Sequence, residues 1–156
     1  MEEELHFACE CGDIDEIIKL LQNTHINTNW QDSSGSTPFY MTCEEGDIEI
    51  VELLLNDERV DVNKSEHNGW TPFYCACGNG YLDIVKLLLN DERVDINKAS
   101  NSGRTPLWIA CRCGYINTGK LLLNDQRIDI NKANKKGETP FYVACYYGKI
   151  EIVKLL

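Results

Sequence analysis

A single 34-residue period runs through this chain and constrains what it can fold into. Gly35-Ser36-Thr37-Pro38-Phe39-Tyr40 returns as Gly69-Trp70-Thr71-Pro72-Phe73-Tyr74, as Gly103-Arg104-Thr105-Pro106-Leu107-Trp108 and as Gly137-Glu138-Thr139-Pro140-Phe141-Tyr142. A small pair follows each copy (Thr42-Cys43, Ala76-Cys77, Ala110-Cys111, Ala144-Cys145), and after it stands Gly46, Gly80, Gly114 or Gly148. Next comes an aliphatic run such as Ile48-Glu49-Ile50-Val51-Glu52-Leu53-Leu54-Leu55. The unit closes on Val60-Asp61-Val62-Asn63, Val94-Asp95-Ile96-Asn97 or Ile128-Asp129-Ile130-Asn131. Sliding the frame back places residues 5–9 on a first short helix and 14–21 on a second, so the period covers the chain. Repeats of this length bury their apolar faces only by stacking on neighbours.

Each unit reads as two short helices and a turn. Threonine caps the first helix and proline sets φ at its first position. Glycine ends that helix, because it enters the left-handed conformation cheaply. The second helix carries Ile50, Val51, Leu54 and Leu55 at helical spacing, with Asp47 near its positive end. The alternating Val60-Asp61-Val62-Asn63 and the later Asn68-Gly69 read as a β-like turn. One copy departs: Asn117-Thr118-Gly119 replaces the aliphatic pair of the other second helices. A glycine inside a helix costs about 1 kcal/mol relative to alanine, so residues 115–124 are expected to be softer than 81–90.

The expected fold is an all-α solenoid of stacked helix-turn-helix units with hairpin-like turns. Residues 1–34 form a capping repeat, 35–68, 69–102 and 103–136 full repeats, and 137–156 a partial one. Glu2, Glu3, Glu4, Lys19 and Gln22 offer a polar cap at the start. The chain stops at Lys154-Leu155-Leu156, after the core-type Ile152 and Val153, which favours a segment of a longer array over a frayed last helix.

The eight cysteines follow the same period. Cys9, Cys43, Cys77, Cys111 and Cys145 share one repeat position, and Cys11, Cys75 and Cys113 give C-x-C but no C-x-x-C. Stacked helices lie about 8–10 Å apart, beyond the roughly 4.4–6.8 Å that a disulfide requires between Cα atoms. The column therefore reads as small buried hydrophobes in a reducing compartment, and no metal or cofactor is expected.

The Thr-Pro-Phe/Leu pattern, the small pair, the inter-helix glycine, the Leu-Leu-Leu run and the Asp-Val/Ile-Asn turn together resemble the ankyrin repeat family. The chain departs from it twice. Its period has one residue more than is usual for the family, within Asn56-Asp57-Glu58-Arg59 and its copies. The family's Thr-Pro-Leu-His becomes Thr-Pro-Phe-Tyr or Thr-Pro-Leu-Trp, so Tyr40, Tyr74, Trp108 and Tyr142 stand where a histidine is usual and only His6 keeps it. A tyrosine hydroxyl can partly take over its hydrogen bonding.

Catalytic patterns are missing from the sequence, and no enzyme is expected. His6, His25 and His67 fall in different parts of different repeats. Carboxylates such as Asp57-Glu58 and Asp91-Glu92 recur in phase, which marks them as solvated turn or cap residues. Asn63-Lys64-Ser65 matches a glycosylation acceptor, a chance match in a thiol-rich chain. With 25 acidic against 15 basic side chains and a pI near 4.7, nucleic acid is not an expected partner. No apolar run approaches the roughly 20 residues that cross a bilayer, and the acidic start is unlike a secretory leader, so a cytoplasmic monomer is expected.

Function is then expected in surface residues that break the repeat. The resemblance implies contact through the turn tips and the concave edge of the first helices. Transferred to this sequence, that gives Ser36, Glu44, Glu45, His67, Trp70, Asn79, Arg104, Arg112, Glu138, Tyr146 and Tyr147 as candidate partner-binding residues. Trp70 leads, since its equivalents Ser36, Arg104 and Glu138 show that the repeat does not require an aromatic there. Charge is uneven: residues 1–68 hold 17 acidic and 3 basic side chains, hence −14, and residues 69–156 hold 8 and 12, hence +4. The acidic half is expected to attract basic segments toward Glu10, Glu44 and Glu45, or simply to confer solubility. The alternative to a partner-binding module is a structural spacer within a longer array.

Overall fold

The computed structural model describes residues 3–156, and among these it holds ten helices and no strand. First helices α1 (Glu4–Cys11), α3 (Pro38–Glu45), α5 (Pro72–Asn79), α7 (Pro106–Cys113) and α9 (Pro140–Tyr146) alternate along the chain with second helices. The second helices are α2 (Ile14–Leu21), α4 (Ile48–Leu55), α6 (Leu82–Leu89), α8 (Ile116–Leu123) and α10 (Ile150–Val153). Local chemistry sets these boundaries. Thr37, Thr71, Thr105 and Thr139 each accept, through Oγ1, the backbone N–H three residues on, at 3.0–3.1 Å. Gly46 ends α3 at φ +94°, and a side chain there would also strike the ring of Tyr81 from the next repeat, 2.8 Å away.

First helices pack on first helices and second on second, from one repeat to the next. Phe39, Phe73 and Leu107 fill the space between first helices, and Leu54, Leu88 and Leu122 do the same beneath the second layer. Each such side chain contributes about 1.5–3 kcal/mol by leaving water. Cys43, Cys77 and Cys111 lie at the centre with no exposure, and all eight thiols are free. Burial pushes Cys9 and Cys111 up to about 12, so these thiols stay protonated and unreactive. Cys11 and Cys145 differ from the expectation by being exposed: Cys11 stands at a position of the repeat where Glu45 and Asn79 are exposed too, and Cys145 has no repeat packed over it. The hairpin-like turns exist as single closures, such as Glu66 N–H to the Trp70 carbonyl at 3.1 Å. A backbone bond links each tip to the next: His67 N–H to Ser34 O, Asn101 N–H to Asn68 O and Lys135 N–H to Ser102 O.

On the opposite side, the residues that lengthen the repeat form a clasp. Asp57 chelates the Arg59 guanidinium, whose Nη2 donates to the carbonyl of Leu21 at 2.7 Å, at the end of α2. Arg93 reaches Leu55 O at 2.6 Å and Arg127 reaches Leu89 O at 2.8 Å in the same way. The last carbonyls of a helix lack internal partners and attract cations, so each arginine satisfies both needs of the preceding repeat. An asparagine adds a second tie. Asn63 Nδ2 donates to Arg93 O at 2.6 Å while its Oδ1 accepts from Asp95 N–H at 2.7 Å, and Asn29 and Asn97 repeat the pattern. The nitrogen of the glycosylation-like triplet is thereby held inside the stack. Asp57 and Asp91, expected to be solvated, have side chains only 14% and 16% exposed. Hydrogen bonds from their arginines hold both below the usual carboxylate range.

The start is less polar than expected. Glu3, Glu4, Lys19 and Gln22 are exposed at the start, but so is Phe7, at 65%. Glu2 lies outside the described residues. At the other end Phe141 is 51% exposed, whereas its equivalent Phe39 is fully buried.

Candidate partner-binding face

Two adjoining hollows open along the first-helix face, and they share Arg104. One, of about 220 Å³, runs between α3, α5 and α7, with Glu44, Trp70, Tyr74, Asn79, Arg104 and Arg112 on its walls. The other, of about 210 Å³, lies between α7 and α9 beside Arg104, Trp108, Glu138, Tyr142, Tyr146 and Tyr147. Eight of the eleven expected contact residues line one or both. Glu45 and His67 are exposed elsewhere, and His67 instead lies over Gly35 of the preceding tip.

Ser36 has to be withdrawn from the set. It is only 8% exposed, its N–H bonds Asp32 Oδ1 at 2.8 Å, and its hydroxyl pairs with that of Ser34. Asp32 occupies a position that closes every tip. Glu66 Oε1 accepts from Asn68 and Trp70 N–H, Ser100 Oγ from Arg104 N–H, and Asn134 Oδ1 from Lys136 and Glu138 N–H. Tip variation at these positions serves the turn itself, whereas periodicity alone assigns it to recognition.

The walls of the hollows follow an i, i+4 rule across the helix start. Trp70 is half-buried and stacks on Tyr74, rings 5.7 Å apart at 19°. One repeat on, Arg104 takes the place of Trp70 and lies over the Trp108 ring at 4.7 Å. Arg112 lies over the Tyr147 ring at 5.2 Å, and Tyr146 packs edge-on to Tyr147 at 5.1 Å. Cations over aromatic faces gain about 0.5–1 kcal/mol at exposed sites. In the two central repeats the aromatic that replaces the family's histidine is thus a platform for the residue four before it. Its hydrogen bonding changes from repeat to repeat: Tyr40 OH meets the Cys75 thiol at 3.0 Å, while the buried Trp108 indole N–H has no acceptor. Tyr74 is pushed up to about 12 by burial, partly offset by Arg104 and Arg112 nearby.

The same helix pairs, capped by Thr-Pro and joined by closed tips, answer to a description of ankyrin repeats in three copies, which matches residues 5–100 and again 92–156. The chain belongs to the ankyrin repeat family. Ankyrin repeats are in general protein–protein interaction modules and typically carry no catalytic activity. No curated protein matches this chain. No helix among the described residues is long and apolar enough to cross a membrane, and no group of three or more His, Cys, Asp or Glu there is arranged to hold a metal ion. Tyr74, Cys75, Ile109 and Tyr142 are ankyrin wall residues outside the set expected from the sequence. For Tyr74 and Tyr142 the signal was present in the i, i+4 spacing from the tip, which is lost when tip and helix are read separately.

Proposed function

We propose that this ankyrin array is a non-catalytic protein-binding module that holds a partner segment along its first-helix face, the side that is concave in its family. The supporting observation is the continuous pair of hollows around Arg104, walled by aromatic and arginine side chains of three successive repeats, from the buried Tyr74 and Trp108 through the half-buried Trp70, Arg104 and Arg112 to the exposed Tyr146 and Tyr147. Aromatic residues and arginine dominate binding energy where they sit in partly closed sites. Trp70 is already stacked on Tyr74, so it reaches the partner held in place, which lowers the entropy of ordering it. The protein works as a monomer in the cytoplasm in this proposal.

Affinity capture from the source organism's cells with wild type and Trp70→Ala tests it. A partner held by wild type and weakened about tenfold or more by the substitution is expected. Capture of nothing, or of partners indifferent to Trp70 and Arg104, would instead favour a structural spacer, a role that the near-identical arginine clasps would also suit.

A further inference from the structure

We infer that Arg104 and Arg112 form a carboxylate-binding subsite, so that the partner segment carries Asp or Glu side chains where it crosses α5 and α7. This rests on the protein-binding role proposed above and specifies its chemistry. The chain has five arginines. Arg59, Arg93 and Arg127 each hold an aspartate at 2.6 Å and a carbonyl of the preceding repeat. Among the described residues no carboxylate comes within ion-pair distance of Arg104 or Arg112. Both line the same hollow, and each lies over an aromatic ring, at 4.7 and 5.2 Å. A ring beneath a guanidinium holds its plane and leaves its N–H edges for a planar two-oxygen acceptor.

No carboxylate among the described residues serves the two arginines; Arg112 has only the neutral Tyr147 hydroxyl beside it as an acceptor. Glu138 Oε2 already accepts from Asn134 Nδ2 at 2.6 Å. Arg104 Nε–H and Trp108 Nε1–H, both buried beside the second hollow, have no acceptor, although buried donors are ordinarily satisfied. The rim chooses between oxyanions. Glu44 and Glu138 stand at the two hollows and repel a phosphate dianion more strongly than a carboxylate monoanion. The −14 balance of residues 1–68 likewise disfavours a uniformly acidic partner, so the acidity is local to the arginines.

Selection from a randomised short-peptide library displayed on phage tests this without knowledge of the natural partner. Wild type, Arg104→Gln/Arg112→Gln, Trp70→Ala and the control Lys120→Gln, which removes one positive charge away from the hollows, serve as bait. Asp and Glu are expected to be enriched in sequences selected by wild type and by Lys120→Gln, and the enrichment to vanish with the double variant. The consensus peptide should bind wild type about tenfold or more tightly than its Gln/Asn analogue in fluorescence anisotropy. In an NMR titration with the same peptide the Trp108 indole N–H resonance should move, and it should stay still with inorganic phosphate. Peptides without acidic enrichment that still require Trp70 would overturn the carboxylate subsite and leave the binding role intact. Enrichment unchanged in the double variant, or phosphate moving the indole signal as the peptide does, would also overturn it. Selection of no peptide at all would overturn both.

Discussion

The outer turns and the first-helix face of this ankyrin array use the same side chain in opposite ways. On the outer turns Arg59, Arg93 and Arg127 recur in register, and each finds an aspartate two residues back and a carbonyl 38 residues back. On the first-helix face Arg104 and Arg112 occur once each and rest on aromatic rings without a carboxylate. A residue that keeps the period has its partners inside the stack, since every neighbouring repeat supplies the same acceptor. Arg104 and Arg112 break the period and have no such supply, so no carboxylate among the described residues of the stack pairs with them. Periodicity therefore separates framework from surface more reliably than residue type does.

The strongest way to break this comparison is to exchange the two roles. Arg59→Ala with Arg93→Ala should destabilise the protein by about 2 kcal/mol in urea unfolding, about 1 kcal/mol for each exposed clasp after solvent screening. Arg104→Ala with Arg112→Ala should stay within about 1 kcal/mol of wild type, since only ring contacts are lost. Equal losses would mean that the groove arginines are framework after all. Next in size is the Trp70–Tyr74 stack. Tyr74→Ala removes a ring that is only 3% exposed and should cost about 3–5 kcal/mol at a core site, whereas Trp70→Ala should cost about 1 kcal/mol. If the two cost the same, Trp70 is a core residue and its place in recognition is lost.

The helix pairs were legible in the period alone. Residues 14–21 are α2, and residues 5–9 fall within α1 (Glu4–Cys11). What the period cannot carry is the environment of an equivalent position. Cys145 and Cys43 are interchangeable in sequence, yet one is exposed and the other buried, because burial depends on the repeat that follows. Ser36 and Trp70 are equivalent as well, but a serine fits under the tip that Asp32 closes, and an indole must lie outside it on Tyr74. The clasp was hidden for another reason. It joins residues 38 apart, and only stacking brings a loop arginine to the end of the preceding helix. The extra residue of the period was visible, but its purpose was not.

Acid sharpens the framework side of the comparison. Asp57, Asp91 and Asp125 are held below the usual carboxylate range in the folded state, first by hydrogen bonds from their arginines. The unfolded chain then binds protons more readily, so the contribution of each pair is complete above about pH 4 and fades as pH falls through the depressed folded value. Melting of wild type followed downward from pH 5 should steepen below about pH 4. The Asp57→Asn/Asp91→Asn/Asp125→Asn variant should start lower and decline less over the same interval. Parallel declines would remove the clasps from the acid response.

The smallest expected effect tests whether a break in the period always points outward. Thr118 and Gly119 break it too, yet both are buried, against Ile84 and Val85 at the equivalent positions of α6. Gly119 faces inward because Ile152 occupies the space of its missing side chain; an added Cβ would lie 2.8 Å from that residue's Cδ1. The neighbour thus restores part of the packing but not the backbone rigidity, because glycine retains its extra freedom in the unfolded chain. A difference of about 1 kcal/mol in local opening corresponds to roughly fivefold faster amide exchange. Residues 115–124 should therefore exchange about fivefold faster than 81–90 under native conditions. Equal protection would show that Ile152 compensates fully for the missing side chain.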